Sequence, residues 1–336
     1  MLKAKFEELK TFLKNKNILI STHGSVDIDA YASCFLFKIL IEAYFENQAL
    51  IYFPKLSKHT QGFIEKLLEK FPNTNLDIDK NTIDISKIDL IFILDTNNLD
   101  QVEMPNNLEI SQLHIPIIFI DHHLELNKNY EENIKSLNII SDNVSSTTEI
   151  IYEFAKYLQI SLDLPSKYIL MAGILTDTGF FKYANNETIK RVSSILNEQI
   201  NIQEIFSLLE TKQTISERIA RIKALQRVTL ERINNWLIGI THVGGYEANV
   251  ATLLINVGCD VSIVYSKKKK EYRISTRAKK EICEKTNLHL GRILEEVSAK
   301  NGHSGGGHNS AASLNSKIDL TNVLDKIIDK IKQILK

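Results

Sequence analysis

Four short apolar runs in this chain each end in a cluster of aspartate or histidine, and no other feature restricts the fold so strongly. Asn17-Ile18-Leu19-Ile20-Ser21-Thr22 leads into His23, Asp27 and Asp29, and Asp89-Leu90-Ile91-Phe92-Ile93-Leu94 leads into Asp95. Pro116-Ile117-Ile118-Phe119-Ile120 leads into Asp121-His122-His123. The segment from Tyr168 to Ala172 runs on through Gly173-Ile174-Leu175-Thr176 to Asp177-Thr178-Gly179. The first three runs read as strands buried on both faces, the habit of parallel sheets. In open α/β sheets ligands gather beyond the carboxyl ends of the strands. Acid and histidine clusters at the ends of such strands and segments therefore predict one shared pocket.

Between the runs the apolar period changes. Residues 30–45, 60–71, 147–158, 166–175 and 187–196 have helical spacing, while 50–53 and 137–140 read as further strands. This alternation predicts an α/β fold whose N-terminal domain is a doubly wound, mainly parallel sheet. Residues 197–227 are helix-forming, with apolar positions at Ile205, Leu208, Leu209, Ile215, Ile219, Ile222 and Leu225, and predict a connecting helix or helix pair. Beyond them, strands at 236–241, 261–265 and 271–276 and helices near 288–299 and 320–335 predict a smaller C-terminal α/β domain. The expected organisation is a first domain over 1–196, a helical linker over 197–227 and a second domain over 228–336.

Composition narrows the class. Cys34, Cys259 and Cys283 are odd in number and far apart, which excludes a disulfide framework and a zinc-type spacing and fits a reducing, cytoplasmic setting. No apolar stretch approaches the roughly 20 residues of a membrane span, and Met1 to Glu8 reads as helical rather than as a signal peptide. The formal net charge of zero hides an asymmetry. Residues 1–226 carry 23 basic against 30 acidic residues, and 227–336 carry 18 against 11. An acidic half able to hold cations beside a basic half able to receive anions suits a phosphate substrate held in a cleft between domains. Lys267 to Lys270 reads more simply, as a solvated hairpin tip. Overall neutrality disfavours tight binding of long duplex DNA.

Aspartate, histidine and water are the ligands expected of manganese or magnesium. Asp27 and Asp29 stand on alternate positions of one loop, a spacing that sends their carboxylates toward two different ions. Asp95, at the end of a central strand, is placed to bridge them. Each residue alone has an ordinary reading. An aspartate after a strand commonly caps a helix, as Asp29 does if the helix begins at Ala30, and Thr-Asp-Thr-Gly around Asp177 reads as a turn. Joint occurrence is what argues for cations, and paired cations are the usual machinery of phosphoryl displacement. Four of the 13 glycines fall between 302 and 307. Gly305-Gly306-Gly307 predicts a loop whose N–H groups approach an anion, with His308 and the strand-end Arg277 as further donors. His303 stays unassigned.

The four clusters, in this order, resemble the motifs of the DHH phosphoesterase superfamily, and Gly305 to Ser313 resembles the GGGH motif of its DHH-associated C-terminal domain. The resemblance spans His23 to Ser313. Within the superfamily it is nearest the nanoRNase group of oligoribonucleases and pAp phosphatases; exonucleases of the RecJ type carry an additional nucleic-acid-binding domain. The resemblance implies that His23, Asp27 and Asp95 hold one cation, and that Asp29, Asp95, His122 and Asp177 hold the other, Mn2+ before Mg2+. It implies a phosphate-facing role for His123, and phosphate or terminal-nucleotide contacts for Arg277, Gly306, Gly307 and His308. Asp121 is expected to orient His122 from behind, and Ser145-Ser146-Thr147-Thr148 to have a structural or supporting role.

The implied activity is two-metal hydrolysis of short single-stranded RNA, DNA or dinucleotides to mononucleotides, with a pAp 3′-phosphatase activity as an accompaniment. Cyclic- or linear-dinucleotide signalling phosphodiesterases, RecJ-like exonucleases and a non-catalytic replication scaffold are the alternatives. The GGGH stretch argues against a family II pyrophosphatase, and the full ligand set argues against a scaffold. The exposed connecting helices leave room for a homodimer. Two departures stand out. Val26-Asp27-Ile28-Asp29 replaces the family's usual Pro-Asp-Gly-Asp, predicting a stiffer loop, and Ser313 replaces a glycine.

Overall fold

The computed structural model describes residues 2–45, 47–76, 83–105, 108–110, 113–123, 137–141, 143–196, 199–211, 213–268, 271–299, 304–316 and 321–336. The chain divides into two compact units, Met1–Thr211 and Lys212–Lys336. In the first, strands β1 (Ile18–Ser21), β2 (Ala49–Ile51), β3 (Leu90–Leu94), β4 (Ile117–Asp121) and β5 (Ile139–Ile140) form an all-parallel sheet in the order β2-β1-β3-β4-β5. Its helices are α1 (Leu2–Phe12), α2 (Ile28–Phe45), α3 (Lys58–Lys70), α4 (Thr147–Tyr157), α5 (Leu164–Asp177), α6 (Asn186–Ile195) and α7 (Ile202–Leu209). The chain leaves β1 for one neighbour, β2, and comes back to the other side of β1 as β3. The carboxyl ends of β1 and β3 therefore part at a topological switch point, where parallel sheets open a crevice.

Successive strand residues point to opposite faces, and both faces are apolar here. Ile18, Ile20, Phe92, Leu94, Ile118 and Ile120 join the core formed with α1, α2, α4 and α5. Leu19, Ile91, Ile93, Ile117 and Phe119 pack instead with Ile83, Ile88, Leu99, Met104 and Ile110. The parallel sheet is as expected, but the winding is unequal. Among the described residues, irregular chain and short 3-10 turns rather than long helices cover the second face. Helix α2 is apolar on nearly every side because it packs against both α4 and α5 as well as the strands.

The second unit contains α8 (Ile215–Arg227), β6 (Thr229–Ile233), β7 (Trp236–His242), α9 (Glu247–Asn256), β8 (Val261–Lys268), β9 (Glu271–Ala278), α10 (Lys280–Thr286), α11 (Leu290–Ala299), β10 (Ser304–Gly307), β11 (Ala311–Ser316) and α12 (Thr321–Leu335). Its sheet runs β10-β11-β9-β8-β7-β6; β7 and β8 are parallel and every other pair is antiparallel. The segment 197–227 is divided, α7 packing on α3 and α5, and α8 on α9 and β7. Strands β8 and β9 pair out to Lys268 opposite Glu271, while Lys269 and Lys270, the expected hairpin tip, lie outside the described residues.

The glycine run is a strand rather than the loop predicted. Ser304–Gly307 is an edge strand paired with β11. Close packing demands glycine at 307 and leaves little room at 305. A Cβ on Gly307 (φ +146°) would lie 2.4 Å from the Ala311 carbonyl oxygen, and one on Gly305 would lie 3.1 Å from the Leu294 carbonyl oxygen. A Cβ on Gly306 would meet nothing within 4 Å among the described residues.

Candidate metal centre

The loop after β1 is tied on both sides. Gly24 N–H donates to the Gln101 carbonyl (2.8 Å), and Val26 N–H donates to that of Lys55 (2.9 Å). Val26 and Ile28, the two departures from the usual motif, are 0% and 1% exposed and belong to the core, so apolar packing fixes this loop. Capping falls to Asp27 rather than to Asp29. The Asp27 Oδ1 accepts the Ala30 N–H (3.0 Å) at the start of α2, while Asp29 is buried inside the first turn.

Asp95 follows β3 with φ +60°, a left-handed conformation that aspartate tolerates better than most residues. Its N–H still donates to the Ile120 carbonyl (3.0 Å), which holds it to the sheet. Asp121 ends β4, fully buried. Its Oδ1 accepts the N–H groups of His122 (2.8 Å) and His123 (3.2 Å) and the His123 Nδ1 (2.8 Å). The ring that Asp121 orients is thus that of His123, not of His122 as expected. Asp177 closes helix α5, in line with the helical spacing of 166–175, and Gly179, Phe180 and Phe181 follow with φ of +55°, +58° and +71°. Thr178 locks this turn, donating from Oγ1 to the Ile174 carbonyl (2.6 Å) and accepting the Phe181 N–H (3.1 Å).

These pieces converge. Three sets of donor atoms, each within 4.8 Å of one another, are formed by His23, Asp27 and Asp95; by Asp29, His122 and Asp177; and by Asp95, Asp121, His122 and His123. His23 Nε2 lies 3.9 Å from Asp27 Oδ2 and 3.7 Å from Asp95 Oδ2. His122 Nε2 lies 3.7 Å from Asp95 Oδ1 and 3.1 Å from Asp177 Oδ2. Asp95 thus turns one oxygen toward each histidine.

The electrostatics are those of a site that wants positive charge. Among the described residues no lysine or arginine pairs with Asp27, Asp29, Asp95, Asp121 or Asp177. Burial, then repulsion from Asp95 and Asp177, pushes the Asp29 carboxyl well above the carboxylate range. Burial, followed by Asp27, Asp177 and Asp121, does the same to Asp95. Asp177 is pushed up to about 6 by burial and by Asp27. His122 is pushed down to about 4 by burial and by its neighbour His123, which keeps its ring neutral, the form that ligates metal. Among the described residues its buried Nε2 has no hydrogen-bond partner, and neither has the buried Asp121 Oδ2. Orphaned donors among crowded carboxylates, with no sulfur ligand, fit hard divalent cations.

Behind this cluster stands α4, whose importance the sequence understated. Thr147 and Thr148 donate their N–H groups to Asp29, and the Thr147 hydroxyl donates to Asp95 Oδ1. Paired threonines behind the N-capping Ser146 were the available signal. In the second unit, Arg277 pairs opposite Ala311, and Gly307 pairs opposite Ala312, so Arg277, Gly306, Gly307 and His308 share one end of that sheet. Gly302 and His303 lie outside the described residues.

The pattern of the DHH family's N-terminal domain matches residues 17–175, and that of the DHHA1 domain matches 247–336. A protein of Methanocaldococcus jannaschii, MJ0988, itself uncharacterised, is 31% identical over 327 residues, covering 96% of this chain and 94% of that one. The chain belongs to the DHH family. Members of the family are metal-dependent phosphoesterases, and the chain is an enzyme of that class. The probable bifunctional oligoribonuclease and PAP phosphatase NrnA of Streptococcus mutans is 25% identical over 332 residues, 95% of each chain. The fold is shared with an exopolyphosphatase-related protein from Bacteroides fragilis (TM-score 0.69, 18% identity, 99% of this chain and 98% of that one).

Proposed function

We propose that this DHH protein is a two-cation phosphodiesterase that hydrolyses short oligonucleotides to mononucleotides, with a secondary 3′-phosphatase activity on pAp. The observation that carries the reading is Asp95, common to two donor sets and turning one oxygen toward His23 and the other toward His122. In this reading His23, Asp27 and Asp95 hold one cation, and Asp29, Asp95, His122 and Asp177 the other. Mn2+ is favoured over Mg2+ because two imidazoles join the carboxylates. Bound there, the pair would polarise a phosphoryl group and lower the pKa of water.

The chain's own part is positioning and proton handling. The His123 Nδ1 is tied to Asp121 Oδ1, and that bond raises the affinity of the ring for a proton. Its Nε2 is then the atom that holds a proton for the leaving oxygen. Arg277, Gly306, Gly307 and His308 are assigned to the terminal phosphate or nucleotide. The similarity to the NrnA protein along 95% of both chains supports the substrate class. Three cysteines without a disulfide support a cytoplasmic setting. No helix among the described residues is long and apolar enough to cross a membrane.

The test is turnover, with and without Mn2+, of end-labelled RNA of graded length, single-stranded DNA, pAp and cyclic di-AMP. The reading expects fastest cleavage of the shortest RNA and complete loss in EDTA. Preference for cyclic di-AMP would reassign the substrate, and no metal-dependent turnover of any phosphodiester would overturn the reading.

A further inference from the structure

Asp29 and Asp95 belong to different elements, yet one helix start holds both. The Thr147 N–H donates to Asp29 Oδ2 (2.7 Å) and the Thr148 N–H to Asp29 Oδ1 (3.0 Å). The Thr147 hydroxyl donates to Asp95 Oδ1 (2.9 Å). All four residues are buried, so water cannot replace these contacts. Each Asp29 oxygen and one Asp95 oxygen is therefore aimed by α4, whose N-terminal end also carries the favourable sign of the helix dipole. A carboxylate rotated by tens of degrees would no longer share a point with the facing imidazole nitrogens.

The α4 start is itself fixed from α6. Glu149, fully buried, accepts the Ser145 N–H (2.9 Å), the Thr188 hydroxyl (3.0 Å) and Arg191 Nη1 (2.9 Å), while its own N–H donates to the Ser146 hydroxyl (3.2 Å). Arg191 also donates from Nε to Glu153 (2.9 Å). Taking a charge pair out of water is costly, and an apolar pair of similar volume would often stabilise as well. What this pair does that an apolar one cannot is fix the backbone of residues 145–147 through directional bonds.

We propose that Thr147 is a positioning residue for the cation pair, and that the Glu149–Arg191 pair sets the first turn of α4 from which it acts. This inference rests on the two-cation reading of the centre. The test is calorimetric titration of Mn2+ into metal-stripped protein for the wild type, Thr147→Val, Thr147→Ser and Arg191→Met, with melting curves of the same samples without metal. Thr147→Val keeps the volume and the backbone N–H and removes only the donor to Asp95. It is expected to bind Mn2+ about 10–100-fold more weakly, as loss of a supporting hydrogen bond commonly does, while Thr147→Ser restores the affinity. Arg191→Met, which removes none of the groups touching Asp29 or Asp95, is expected to weaken Mn2+ binding by about tenfold.

A merely structural role for Thr147 would lower the melting temperature and leave Mn2+ affinity unchanged, and that result overturns the proposal. If Thr147→Val does not fold, Arg191→Met decides, and wild-type affinity in that variant overturns the proposal equally. Wild-type protein that takes up no Mn2+ overturns the cation reading and this inference with it, which keeps the two failures apart.

Discussion

Under the proposed function the two units would carry their chemistry by different means. In the first, side chains do the work: His23, Asp95 and Asp121-His122-His123 leave the ends of parallel strands, and Asp29 and Asp177 meet them from α2 and α5. The geometry is fixed by a core apolar on both sheet faces and by the bonds from α4. In the second, backbone would do much of it. Gly305–Gly307 is an edge strand whose shape is set by close approach of its neighbours, with Arg277 and His308 as the cationic or donor side chains nearby. A side-chain site should fail abruptly when one shared ligand is lost. A backbone site should degrade gradually.

The sharpest test of that difference is Asp95→Ala. Removing the shared carboxylate should cost roughly 4 kcal/mol of transition-state stabilisation, about 10³-fold in rate. The metal-free variant should still fold, because relief of burial and repulsion at Asp95 offsets the strain of alanine at φ +60° and the lost Thr147 bond. Steady-state rates with saturating Mn2+, together with melting curves, check both halves. Near-wild-type turnover would remove Asp95 from the mechanism.

Arg277→Ala should act on binding alone. Losing one charge-assisted hydrogen bond to phosphate is worth about 1.5–3 kcal/mol, a rise in KM of about 10–100-fold. Mn2+ affinity should stay at the wild-type value. A change in metal binding would mean that the two sets of residues are not separable.

The metal-free centre should also show its crowding as a pH dependence. Asp29 and Asp95 are raised well above the carboxylate range, and Asp177 rises from 3.8 to about 6. A raised folded pKa contributes stability below the unfolded value and loses it as pH climbs through the folded one. His122, lowered from 6.5 to about 4, acts oppositely between those values, but one histidine opposes three carboxylates. Stability of EDTA-treated protein should therefore fall as pH rises from 4 through 6, each fully shifted unit being worth about 1.4 kcal/mol. Mn2+ at a hundred times its Kd should return about 2.7 kcal/mol at neutral pH. Denaturant midpoints with and without Mn2+ measure this, and a metal-free protein at its most stable above neutral pH would contradict it.

Much of the first unit was legible because continuous apolar runs have few other uses. The strands containing Ile18–Ser21, Leu90–Leu94 and Ile117–Asp121 fall where their hydrophobicity predicts. Pairwise relations were less legible. No spacing rule distinguishes which ring Asp121 orients, or that Asp27 rather than Asp29 caps α2, because both depend on loop conformation. Helix α9 begins at Tyr246 in a left-handed conformation with no side-chain cap, and β6 is largely exposed, so neither left its usual mark. Strand β10 was hidden for a different reason. Glycine has no strand propensity of its own, and this strand exists because β11 pairs with it and α11 presses on it.

That origin makes Gly306 the finest test of the contrast. At Gly307 an added Cβ would collide with the backbone of β11, so Gly307→Ala should damage the hairpin whatever the ligand. At Gly306 a Cβ meets nothing within 4 Å among the described residues, and the facing residue in register is the exposed Ser313. Gly306→Ala should leave the melting temperature almost unchanged, since packing gives no reason for glycine there. If a phosphate or nucleotide approaches this strand closely, the added methyl should raise KM several-fold, about 1 kcal/mol, with kcat and Mn2+ affinity unaffected. An unchanged KM would mean that substrate does not use the open side of Gly306, and would shift recognition toward Arg277 and His308.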